Sequence, residues 1–135
     1  MVLIATQGGD MKYVLESTDK PIYLSDNTLV GVGAGWVALK SNDESGSDYV
    51  VPTGKVFTIT LMQFFSSNTT GYLDMKYDSS AGSSGGTRFA FPQNILTGTT
   101  QTRICKIDIP AGNYVNVQNN VATVNLLIIG VEHDT

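Results

Sequence analysis

The sequence predicts an all-β chain: a single-domain antiparallel β-sandwich of about eight short strands. Three observations lead there. Only 15% of the 135 residues are charged, while Gly, Ser, Thr and Asn are abundant, a balance that suits strands joined by turns better than solvated helices. No stretch sustains a 3.6-residue apolar stripe for more than about two turns. One phrase also occurs twice, as "VPTGKVFTIT" from Val51 and "IPAGNYVNV" from Ile109, nearly half the chain apart. In each copy the Pro cannot donate to a ladder, and the Gly two residues later accepts a positive φ. Each phrase therefore ends one strand, turns the chain and feeds the next strand. Two such corners among short strands imply two sheets with Greek-key connections.

The elements follow in order. Residues 1–9 carry the apolar run "VLIA" and then Gly8-Gly9, which reads as an N-terminal arm, with the sandwich domain spanning residues 10–135. Residues 10–26 read as two short strands, with Pro21 marking a strand start or an edge. Glycines 31, 33 and 35 lack the G-x-G-x-x-G spacing of a dinucleotide site and imply a bent strand or a close backbone approach. "SNDESGSD" is turn-rich. "KVFTITLMQFF" is the clearest strand, with Phe57, Ile59, Leu61 and Phe65 expected on one face and Thr58 and Thr60 on the other. Met62 and Phe64 make that second face apolar towards its end. "YLDMKYD" alternates Leu73, Met75 and Tyr77 against Tyr72, Asp74 and Lys76, joined to the previous strand by a hairpin. "DSSAGSSGGT" reads as a flexible surface loop. "RFAFP", "QTRICKIDI" and "NYVNV" are further strands, and "VATVNLLIIGVE" is a long closing strand expected to be covered on both sides.

Composition excludes several roles. The net charge is −4 and the eight basic residues are scattered, so the clustered cations of a nucleic-acid site are missing. Cys105 is the only cysteine, which rules out an internal disulfide, and its strand-like setting reads as a buried thiol serving as a small hydrophobe. The opening residues have neither a basic n-region nor an apolar stretch long enough for a signal peptide or membrane span, so synthesis in a cytoplasm is expected.

Chemistry-bearing sets are sparse. His133 has no neighbouring Cys or His and reads as part of a solvated end, which argues against both a metal centre and a Ser-His-Asp arrangement. Asp43, Glu44 and Asp48 around Gly46 do not follow the EF-hand pattern and read as a polar turn. Asp74 and Asp78 share a strand face about 13 Å apart, and Lys76 between them makes a surface charge ladder of the set. No cofactor and no catalytic residue is expected. Trp36, Tyr49 and Tyr72 are the aromatics that could serve as platforms for a glycan or a partner if they are exposed rather than core.

Pro-x-Gly corners before strands resemble those of jelly rolls. Cupins carry such a corner beside several metal-binding histidines, but the chain has a single histidine, His133, near its end, so the cupin metal site is absent. "VPTGKVFTITLMQFF", "IPAGNYVNV" with its apolar closing strand, and the short N-terminal arm are together similar to small jelly-roll structural proteins of tailed bacteriophages. Those include capsid decoration (cement) proteins and fibre modules. The resemblance implies a non-enzymatic virion subunit on the outer surface of the capsid, forming a homotrimer and binding the major capsid protein. Val2, Leu3 and Ile4 of the arm are the expected partner-binding residues. An acidic chain suits the outside of a shell, since an inner face near packaged genome would favour cations. The alternative is a receptor- or glycan-binding module of a fibre or lectin-like protein, using Trp36, Tyr49 or Tyr72.

Overall fold

The computed structural model describes residues 2–5, 11–14, 19–30, 35–41, 47–66, 71–95, 98–119 and 123–135. Within these, residues 2–5, 11–14, 26–30, 91–95 and 123 are described by their backbone. Every regular element among the described residues is a strand: β1 (Val2–Ala5), β2 (Met11–Val14), β3 (Lys20–Val30), β4 (Val37–Ala38), β5 (Lys40–Ser41), β6 (Lys55–Phe65), β7 (Gly71–Asp78), β8 (Thr87–Ile95), β9 (Gln101–Pro110), β10 (Tyr114–Asn119) and β11 (Thr123–Asp134). Among the described residues all pairings are antiparallel. One sheet runs β5-β3-β11-β6-β9, a second runs β4-β10-β7-β8, and β1 pairs with β2.

Both larger sheets contribute to one apolar core. β3 supplies Ile22 and Leu24, β6 supplies Phe57, Ile59, Met62 and Phe64, and β11 supplies Val124, Leu126 and Ile128. Leu73 and Met75 of β7 and Val115 and Val117 of β10 complete it from the second sheet, with Leu39, Tyr49 and Val51 closing the side. Each such side chain contributes about 1.5–3 kcal/mol relative to exposure.

The doubled phrase proves to be one structural unit. Gly54 and Gly112 both take positive φ (78° and 80°), as the two corners require. The corners also bond to each other: Gly112 N–H donates to the Val51 carbonyl (2.8 Å) and Val51 N–H to the Asn113 carbonyl (3.0 Å). From there β6 and β9 diverge as a ladder that starts with Val56 opposite Pro110 and Phe57 opposite Ile109.

Four expectations change. β6 and β7 do not form the expected hairpin, because they belong to different sheets and the chain crosses between layers there. The alternation of β6 breaks at Thr60, which is an extra residue against β11: Ile129 pairs with Leu61, and Gly130 with Ile59. A one-residue bulge moves every later side chain to the opposite face. Phe57 and Ile59 therefore share the core with Met62 and Phe64, while Leu61 and Phe65 are only half-buried. The closing strand β11 is covered on its core side, yet Asn125 is exposed and Leu127 and Ile129 half-exposed on the other. The Gly/Ser-rich loop after β7 is tied down. The buried Asn116 amide accepts from Gly82 N–H (2.9 Å) and donates to the Ser80 carbonyl (3.0 Å), and Lys76 Nζ donates to the Ser84 carbonyl (2.7 Å).

Gly130 faces the core where the Phe57 ring crosses it, so an added Cβ would sit 2.6 and 2.7 Å from two ring carbons. Gly130→Ala is expected to lower stability by about 1–3 kcal/mol, the usual cost of overpacking, read from the midpoint of urea unfolding at unchanged slope.

Candidate interaction surface

The cross-strand register arranges the solvent side of the five-stranded sheet in rows. One row is Pro21–Val131–Thr58–Asp108, the next Tyr23–Ile129–Leu61–Ile104, and the next Ser25–Leu127–Gln63–Thr102. The middle row is wholly apolar or aromatic. Its ends are open, with Tyr23 at 45% and Ile104 at 88% of full exposure, and Ile129 and Leu61 half-buried between them. Ile104 reaches this row through an irregularity in β9, which uses one more residue than β6 between the Ile59–Ile107 and Leu61–Ile104 pairs. Single exposed apolar residues are ordinary, but a contiguous row across four strands makes this face the candidate interaction surface.

A polar hub closes one end of this face. The Thr58 hydroxyl, 1% exposed, donates to Asp108 Oδ1 (2.6 Å) and lies 2.7 Å from His133 Nε2, while His133 Nδ1 lies 3.0 Å from the Asp134 carbonyl. His133 is thus part of β11 and bonded across to β6, not a solvated end, because the ladder extends to Asp134 opposite Lys55. Lys55 also forms an ion pair with Asp134, which raises the Lys55 pKa, chiefly through that hydrogen bond. The contact order differs from an acyl-transfer triad, where imidazole sits between hydroxyl and carboxylate; here the hydroxyl sits between them and is sealed from solvent. Cys105 lies half-buried beside the core, its Sγ 3.8 Å from the Ile59 carbonyl, and burial pushes the thiol pKa up, away from the reactive thiolate.

The second sheet carries a different link. Asp74, 6% exposed, accepts from Arg88 Nε (2.8 Å) and Nη2 (2.7 Å) and from Met75 N–H (3.0 Å). The Arg88 hydrogen bonds hold the Asp74 carboxyl below the usual carboxylate range. The expected ladder of Asp74 with Lys76 is therefore replaced. Arg88, from the neighbouring strand β8, claims the carboxylate, and Lys76 lies over the Trp36 ring, 4.9 Å from its centroid.

The remaining sequence candidates disperse. Tyr49 is in the core at 4% exposure, edge-on to Phe57 with centroids 5.3 Å apart, its hydroxyl donating to Glu132 Oε2 (2.9 Å). It offers no open ring to a glycan. Tyr72 is 41% exposed on β7, and Trp36 is half-buried beneath Lys76. Val2, Leu3 and Ile4 lie in β1, opposite Val14, Tyr13 and Lys12, with their side chains outside the described residues. Asp43, Glu44 and Gly46 are also outside them, as are Gly31 and Gly33, and Asp48 is paired with Lys40 (2.8 Å). Leu61, expected from sequence on the face of Phe57 and Ile59, is turned to the solvent side, and it joins Tyr23, Ile104 and Ile129 there. The parity of Tyr23 against Ile22 and Leu24 was a usable signal, whereas the two irregularities that align Leu61 and Ile104 left none.

Two outcomes follow from the polar links. Thr58→Val keeps the shape but removes the hydroxyl shared by β6, β9 and β11, and should cost about 1 kcal/mol in denaturant unfolding. Because the folded-state pKa of Asp74 is lowered, its stabilisation is complete above the unfolded carboxylate value and is lost as pH falls through the lowered value. Asp74→Asn should therefore be less stable than the parent at neutral pH, with the difference shrinking on acidification in a series of urea titrations.

Set against protein-family models, curated proteins and solved structures, the chain finds no match in any of the three comparisons.

Proposed function

We propose that the chain is a structural interaction protein, a jelly-roll sandwich that self-associates and attaches to the outside of a larger protein shell. The observation that carries this reading is the apolar row Tyr23–Ile129–Leu61–Ile104 across the solvent side of the five-stranded sheet. Such a row is costly to leave wet and gains by burial against protein.

The jelly-roll part is supported by strand order. Setting aside the two-residue β5 and the β1–β2 hairpin, the sheets read β3-β11-β6-β9 and β4-β10-β7-β8. The first and last of these strands lie side by side, and the chain passes between sheets from β3 to β4, β4 to β6, β6 to β7, β8 to β9, β9 to β10 and β10 to β11. That order is the one expected of an eight-stranded double Greek key, as in viral capsid and lectin domains, and it supports the jelly-roll reading. With the sequence resemblance to phage decoration proteins, it makes a homotrimer on the outer capsid surface, bound to the major capsid protein, the specific form of the proposal. Strand β1, with Val2, Leu3 and Ile4, is the expected second contact, since an apolar run of this kind costs solubility if left uncovered. No catalytic role is assigned.

Ile104→Asp separates association from folding. A residue so exposed in the protomer should change fold stability by no more than about 0.5 kcal/mol. Sedimentation velocity is expected to show an oligomer for the parent chain and at least about a tenfold weaker association for the variant. A parent chain that stays monomeric at micromolar concentration, or a variant that associates unchanged, would overturn the reading.

A further inference from the structure

One row beyond the apolar row, the solvent side of the same sheet opens into a groove of about 560 Å³, within the ~300–1,000 Å³ range of small-molecule sites. Ser25 of β3, Gln63 and Phe65 of β6, Asn125 and Leu127 of β11, and Thr100 before β9 line it. Its position is built by register: Ser25, Leu127 and Gln63 are direct cross-strand neighbours, and Asn125 lies opposite Phe65. The segment carrying Thr100 is anchored nearby by Gly98 N–H donating to the Ser66 carbonyl (2.8 Å).

The lining is chemically selective. It combines two carboxamides, two hydroxyls and an apolar floor from Phe65 and Leu127, and none of the described residues lining it is ionisable. A phosphate or carboxylate ligand would call for a cation or converging charge-assisted donors. A lipid chain would match none of these carboxamides and hydroxyls, of which Gln63 also donates to Thr102 Oγ1 (3.4 Å). A carboxamide both donates and accepts, as each hydroxyl of a sugar does, so adjacent sugar hydroxyls can be held in pairs while a ring face of C–H groups lies on Phe65. The geometry points to a binding site for a neutral saccharide in this groove, away from Trp36, Tyr49 and Tyr72. The site is independent of self-association, although the neighbouring apolar row places it at the rim of that contact.

The test is an amide-resolved NMR titration with four neutral probes: maltotriose, cellotriose, triacetylchitotriose and galactobiose. Each is run on the parent chain and on Ile104→Asp, so that a groove covered by association is still read. The expected result is saturable shifts at millimolar probe, centred on Gln63, Phe65, Thr100 and Asn125. Affinity should fall at least about tenfold in Asn125→Ala, whose side chain is exposed, and in Gln63→Ala. Three results would overturn the assignment: no response to any probe, shifts centred on Trp36 and Tyr72, or the same shifts at equal affinity with tetra-alanine.

Discussion

The structure turns on the ladder between β6 and β11, where Thr60 is one residue too many and Gly130 one side chain too few. The two features depend on each other. The Phe57 ring lies across Gly130, which brings the backbones close enough for the core to shut at that level, and the bulge beside it reverses the faces of β6. Met62 and Phe64 are thereby sent into the core, and Leu61 is turned out to meet Ile129. The apolar row on the solvent side thus has the same cause as the packing of the interior. The displaced register in β9, at the same level of the sheet, completes the row with Ile104.

Polar groups are placed where they cross-link strands distant in sequence. Thr58 joins β6 to β9 and β11 through Asp108 and His133, and Asp74 joins β7 to β8 through Arg88. A carboxylate as enclosed as Asp74 is tolerated because the guanidinium meets both of its oxygens and a backbone N–H meets one again. Asn116 does similar work for the Gly/Ser-rich loop, adding to the partners its own side chains supply, Asp78 for Ser79 N–H and Ser83 for Gly85 N–H. With these groups committed at the ends and on the other sheet, the centre of the five-stranded face is left to Tyr23, Ile129, Leu61 and Ile104. A surface of that kind gains by burial and shape rather than by charge, which is what the proposed assembly role requires.

The paired corners explain the repeated phrase without assigning it chemistry. Each supplies a proline stop and a positive-φ glycine, and the backbone bonds between Val51, Gly112 and Asn113 hold the two reversals side by side. Strands β6 and β10 leave from this point into different sheets, so the phrase sits where the chain distributes itself between layers.

The sequence by itself determined the all-β class, the two corners and most strand positions, because proline, glycine and period-two alternation act through local backbone geometry. It also determined the core parity of Leu73 and Met75, and of Phe57 and Ile59 up to the bulge. Only the tertiary structure decided what lies beyond Thr60, since a bulge is fixed by the register against a partner strand some 70 residues away and leaves no mark in the alternation. It alone decided that His133 is bonded to Thr58, that Arg88 takes Asp74 from Lys76, and that Tyr49 is core. Those outcomes depend on which strands become neighbours. The candidate surface was illegible for the same reason: its four residues come from four strands and form a row only when three registers agree.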